Sequence, residues 1–116
     1  LSGDHNMIVT KSDAVTHSRD GVFGRYYQLP ESSGGTTVAY AEFTGEHGQR
    51  TIGERPRIYY LLSGSCEFMI NEEKFIANEG DLVEVPPNAT YNLWPKTEVL
   101  KVMLYMELLD VSKLPK

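Results

Sequence analysis

Apolar and polar side chains alternate along this chain in short runs, each closed by Gly, Pro, Asn or Asp. Thr37, Ala39, Ala41 and Phe43 interleave with Val38, Tyr40 and Glu42, the two-residue period that sends neighbours to opposite faces of an extended strand. An aromatic-rich run at 22–29 follows Asp20-Gly21, and Ser32-Ser33-Gly34-Gly35 turns the chain into 36–43. Residues 58–62 are β-branched, aromatic or Leu and stop at Ser63-Gly64. Residues 66–70 and 74–77 flank a hairpin tip at Asn71-Glu72-Glu73. Residues 82–85 follow Gly80-Asp81 and end at Pro86-Pro87, and 91–94 end at Pro95. Such runs, punctuated at intervals near ten residues, predict an all-β sandwich or barrel.

Residues 98–109 are open to two readings. Leu, Lys, Met and Glu there favour a helix, whereas Pro95 ahead of them and the hairpins before them favour a last strand. We read a strand. Leu100, Val102, Leu104 and Met106 then share one face, and Val99, Met103 and Tyr105 share the other beside Lys101. Apolar residues on both faces predict cover on both sides, either from the N-terminal segment folding back or from a second copy of the chain.

Length and charge narrow the class. The 116 residues suit one domain, 1–116. A hydrophobic fraction of 41% is too rich for a disordered chain. No apolar run is longer than 58–62, which is far short of the ~20 residues of a membrane span, so no membrane partner is expected. A net charge of −5 argues against nucleic-acid binding, which takes a basic patch. Cys66 is the one cysteine, which excludes an internal disulfide and a zinc site of several thiolates. It reads as a small buried apolar residue. With no charged-then-apolar leader in the opening residues, the expected location is the cytoplasm.

Two glycine-framed blocks resemble the motifs of the cupin superfamily, over roughly residues 38–106. The later block runs Gly80-Asp81-Leu82-Val83-Glu84-Val85-Pro86-Pro87-Asn88-Ala89-Thr90-Tyr91. Gly80 and Pro86 match the cupin pattern, Asn88 stands where glycine is usual, and Tyr91 takes the place of a histidine. The earlier block, counted from Gly45 to Gly64, has Thr51 and Gly53 at the two histidine positions and Arg57 at the glutamate position. The resemblance implies a small double-stranded β-helix, the jelly-roll cupin barrel, and a homodimer. In typical cupins those four positions bind one metal ion. A guanidinium carries donors and no lone pair for a cation, so no metal and no cofactor are expected here.

The replacements suggest a different site. Arg50, Arg55 and Arg57 lie close together with Glu54 as their only acidic neighbour. If the strand continues through Pro56, alternation sets Arg55 and Arg57 on the face of Thr51 and Gly53. Guanidinium forks suit carboxylate or phosphate. The expected ligand site is therefore Arg50, Thr51, Arg55, Arg57 and Tyr91, holding a small carboxylate or phosphate in a sensor, carrier or accessory domain. The enzymatic alternatives are a metal-free isomerase or lyase working through Tyr91 and His47, and an oxygenase with non-standard ligands. A shifted metal site on His47, Glu46 and Glu42 belongs with the second. A third reading is a dimerisation module with a filled barrel. His5 and His17 read as exposed N-terminal residues, and Tyr59 and Tyr60 point to opposite faces.

Overall fold

The structure is a computed structural model and describes residues 8–114. Ten strands form a jelly-roll of two antiparallel sheets: β1 (Val15–Arg19), β2 (Val22–Leu29), β3 (Thr36–Phe43), β4 (Arg50–Thr51), β5 (Arg57–Ser63), β6 (Ser65–Ile70), β7 (Glu73–Asn78), β8 (Leu82–Val85), β9 (Thr90–Pro95) and β10 (Leu100–Glu107). One sheet has the order β1-β2-β3-β10-β5-β8 and the other β4-β9-β6-β7. Residues 98–109 hold the last strand rather than a helix.

The period-2 pattern decides which face is buried. Thr37, Ala39, Ala41 and Phe43 of β3 turn inward, beside Leu100, Val102, Leu104 and Met106 of β10. Tyr59 and Leu61 of β5 continue this inner face, and Cys66, Phe68, Tyr91 and Leu93 meet it from the other sheet. Each fully buried Leu or Phe stabilises the fold by roughly 1.5–3 kcal/mol. Phe68 stacks on Phe75 of the neighbouring strand, ring centroids 5.7 Å apart.

Turn chemistry closes the strands. Asn71 and Glu72 both have positive φ, 48° and 76°, as a two-residue hairpin loop requires. Asn88 takes φ 65°, the left-handed conformation that makes it a stand-in for glycine. At Gly64, φ 89°, a Cβ would lie 2.7 Å from the Val99 carbonyl oxygen, so only glycine fits.

The outer face of β10 is not covered by the described residues. Tyr105 is 43% exposed, and Ile8 and Val9 lie instead in a groove with Tyr26, Gln28 and Leu29. Small residues set the position of the cavity. Ala39 and Ala41 on β3 leave space on the inner face, and Gly24 of β2 lies directly opposite Ala41. A Cβ at Gly24 would stand 2.7 Å from the Tyr26 ring, so this glycine lets the ring lie along its own strand.

Candidate functional site

A cavity of about 70 Å³ opens between the sheets. Its apolar wall is Val22, Ala39, Ala41, Phe43, Leu104 and Met106. Its polar wall is His17, Arg19, Tyr26, His47, Arg50, Arg57 and Tyr59. Among the described residues no Asp or Glu lines it.

Arg57 opens β5 and is 8% exposed. Its Nη1 donates to the Tyr91 hydroxyl at 3.3 Å and its Nη2 to Glu107 Oε2 at 3.1 Å. Its Nε is buried without a partner. Burial works against the guanidinium charge, but Tyr91, Tyr59 and Glu107 raise its pKa, so it stays a cation. Arg50 faces Tyr91 across the β4–β9 pair. Its guanidinium makes no hydrogen bond or ion pair among the described residues.

His47 sits on a loop stitched to β9. Its N–H donates to the Leu93 carbonyl at 3.0 Å, the Gly48 N–H donates to Asn92 Oδ1 at 2.9 Å, and Asn92 Nδ2 donates to Glu46 at 2.6 Å. Arg19 Nη2 holds the His47 carbonyl at 2.6 Å. These contacts hold the loop, and the ring's own contact sets its tautomer. Nδ1 lies 2.7 Å from the Gly48 carbonyl, which can only accept, so Nδ1 carries the proton and Nε2 offers its lone pair. The Tyr91 hydroxyl, 3.4 Å away, donates to Nε2. The Tyr59 and Tyr91 hydroxyls share a hydrogen bond at 2.5 Å, in which either can donate. Burial lowers the His47 pKa to about 4, Arg50, Arg19 and Arg57 adding to the effect against the Gly48 hydrogen bond. The imidazole is neutral at pH 7. Burial, then Tyr91, pushes the Tyr59 phenol well above its usual pKa of 10.

Arg50, Arg57, Tyr91 and His47, expected from the sequence, thus converge. Thr51 and Arg55 do not join them. β4 ends at Thr51 and β5 begins at Arg57, so no strand runs through Pro56 and the assumed alternation fails. Arg50 takes the inward face, and Thr51 pairs outward with Thr90 at 2.7 Å. Arg55 reaches away to the Gly35 carbonyl and to Thr36 Oγ1. The trio His47, Glu46 and Glu42 is not assembled either, because Glu42 accepts from Tyr40 and Glu46 from Asn92. His5 lies outside the described residues. His17, expected to be exposed, lines the cavity, and its Nε2 is buried without a partner. With Arg19, Tyr26 and Glu107 it is a site residue that the motifs did not reveal. Its one sequence signal is the shared parity of His17 and Arg19 on a short polar strand.

Two antiparallel sheets closed as a jelly-roll around a lined cavity define a cupin, here a ligand-binding one. The chain belongs to the family described as AraC-like ligand binding domain, which residues 33–113 match. No curated protein matches the chain. Among solved structures, the fold is shared with Streptomyces PAC13, solved with uridine in a histidine-to-glutamine variant. That match has 20% identity and a TM-score of 0.74, covering 88% of this chain and 82% of that one. KdgF from Halomonas sp. is 14% identical with a TM-score of 0.69, covering 89% and 94%. The CENP-C cupin domain of Drosophila melanogaster is 14% identical with a TM-score of 0.70, covering 89% and 81%. At such identities the likeness is one of fold alone.

Proposed function

We propose that this domain binds a small organic anion, a carboxylate or phosphate, in the barrel cavity without a metal ion, as a sensor, carrier or accessory domain. The observation that supports the reading is the polar wall: three guanidiniums against the single carboxylate Glu107, which pairs with Arg57 from behind the lining, while among the described residues Arg50 is unpaired and the buried Arg57 Nε is unsatisfied. A buried donor left without an acceptor costs about 1–3 kcal/mol, and an anion on Arg57 removes that cost. A guanidinium and an anion in contact attract by about 4 kcal/mol at an effective dielectric of about 20.

The donor set does not fit the cupin metal. The four positions carry Thr51, Gly53, Arg57 and Tyr91, a fixed cation among them. Among the described residues no group of three or more His, Cys, Asp or Glu side chains stands together.

Thermal denaturation across a panel of small carboxylates and phosphates tests the reading. A true ligand at 100 times its Kd stabilises by ~2.7 kcal/mol, and Arg57→Gln is expected to abolish the shift. An unchanged shift in Arg57→Gln would remove the proposal.

A second reading, metal-free acid–base chemistry, is supported by the Tyr59–Tyr91–His47 hydrogen-bond chain beside the cavity. PAC13, a neighbour in fold, was solved with uridine as a histidine-to-glutamine and as a tyrosine-to-phenylalanine variant. A new product from a bound acid during the same titrations would favour this reading over simple binding.

The outer face of the six-stranded sheet supports a homodimer. Met103, Tyr60 and Leu82 form one row across β10, β5 and β8, flanked by Tyr105 and Leu62, and Leu82 is 66% exposed. A second copy of this chain is the proposed occupant, its own row of the same residues being self-complementary across a two-fold axis.

A further inference from the structure

Arg57 meets one carboxylate among the described residues, and the contact is half of a fork. Glu107 Oε2 takes Nη2, while the partner atoms of a bidentate pair, Arg57 Nε and Glu107 Oε1, are both buried and unsatisfied. A carboxylate or phosphate binding Arg57 by its side edge needs Nε and Nη2 together. Nε is free, but Nη2 is held by Glu107. An entering anion would also meet the Glu107 charge at contact distance, where like charges repel.

Glu107 stands at the root of the cavity's cover. It ends β10, and residues beyond it return to the cavity wall. The Leu109 N–H donates to Thr37 Oγ1 at 2.9 Å, and Gln28 Nε2 donates to the Leu109 carbonyl at 2.6 Å. A single turn at Val111–Lys113 follows, with Asp110 accepting from the Ser112 N–H at 3.1 Å. Leu109 and Leu114 both line the cavity. The cover thus hangs on few hydrogen bonds, next to the one ion pair a ligand would disturb.

We propose that Glu107 is a resident competitor for the ligand's anionic group: the ligand takes the Nε–Nη2 edge of Arg57, Glu107 leaves it, and the cover formed by residues 108–114 loosens. This rests on the anion-binding reading of the cavity and adds to it a regulating group and a moving part. Occupancy of the barrel is then reported at the C-terminal end of the domain.

The test uses the full chain with inorganic phosphate and malonate as probes. Glu107→Gln keeps the shape and an acceptor for Nη2 while removing the charge. Calorimetric titration is expected to give about tenfold tighter binding in this variant than in the unaltered chain, and Arg57→Gln is expected to bind neither probe. Hydrogen exchange at the Leu109 amide of the unaltered chain is expected to speed up at saturating probe. Arg57-dependent binding that is no tighter in Glu107→Gln overturns the competitor role and leaves the anion site standing. No binding of either probe to either protein overturns both. If Glu107→Gln does not fold, exchange at Leu109 decides: unchanged or slower exchange on binding contradicts the proposal.

Discussion

At His47, position sets chemistry. Its Nδ1 proton is committed to the Gly48 carbonyl and its Nε2 faces the Tyr91 hydroxyl, so a second proton would put a charge in a buried place beside three arginines. Burial holds the folded pKa at about 4, below the ordinary histidine value of 6.5. The sign follows: between those values the unfolded chain binds the extra proton and the folded one does not. The stabilisation from the neutral ring is complete above pH 6.5 and is lost as pH falls toward 4, amounting to roughly 3 kcal/mol in all. Chemical denaturation at pH 7 and pH 4.5 is expected to show a loss of stability that shrinks in His47→Gln, a variant with no imidazole to protonate. An identical loss in both proteins would contradict the assignment. Counting from the glycines led to Arg57 and Tyr91 because a motif records spacing. It could not reveal Glu107, which is 50 residues from Arg57 in the chain, nor that Arg55 would be drawn off by the Gly35 carbonyl.

Among the elements, the strands that alternate clearly were legible. β2, β3 and β8 have the bounds that their patterns and turn residues predict. β1 was missed because Val-Thr-His-Ser-Arg carries one apolar residue and no alternation, and its five ladder pairs with β2 are tertiary information. β4 is only two residues long, too short for any period. That shortness misled the site reading as well. The chain leaves the strand after Thr51, so parity counted from Arg57 back to Thr51 lost its meaning. β10 was read correctly on its inner face. Its outer face was expected to be covered, and among the described residues it is not: Tyr105 stays exposed.

For the molecule as a whole, charge is unevenly distributed. The chain carries −5 overall, yet its cavity wall holds three arginines, so composition alone could not announce the local charge. The fold class followed from patterning, whereas the cavity depends on small residues at Gly24, Ala39 and Ala41, whose effect appears only when β2 and β3 pair. The proposed dimer predicts a two-chain mass in sedimentation equilibrium, and Tyr105→Lys together with Leu82→Lys should shift it to a single chain. A single-chain mass for the unaltered protein would contradict it. The proposed anion site is tested most directly by an electron-density map of the barrel interior from crystals grown with the best-stabilising acid or phosphate. The account predicts the anionic group between Arg50 and Arg57, on the Nε edge of Arg57. A metal ion in that position, or a cavity filled by side chains with the ligand elsewhere, would contradict it.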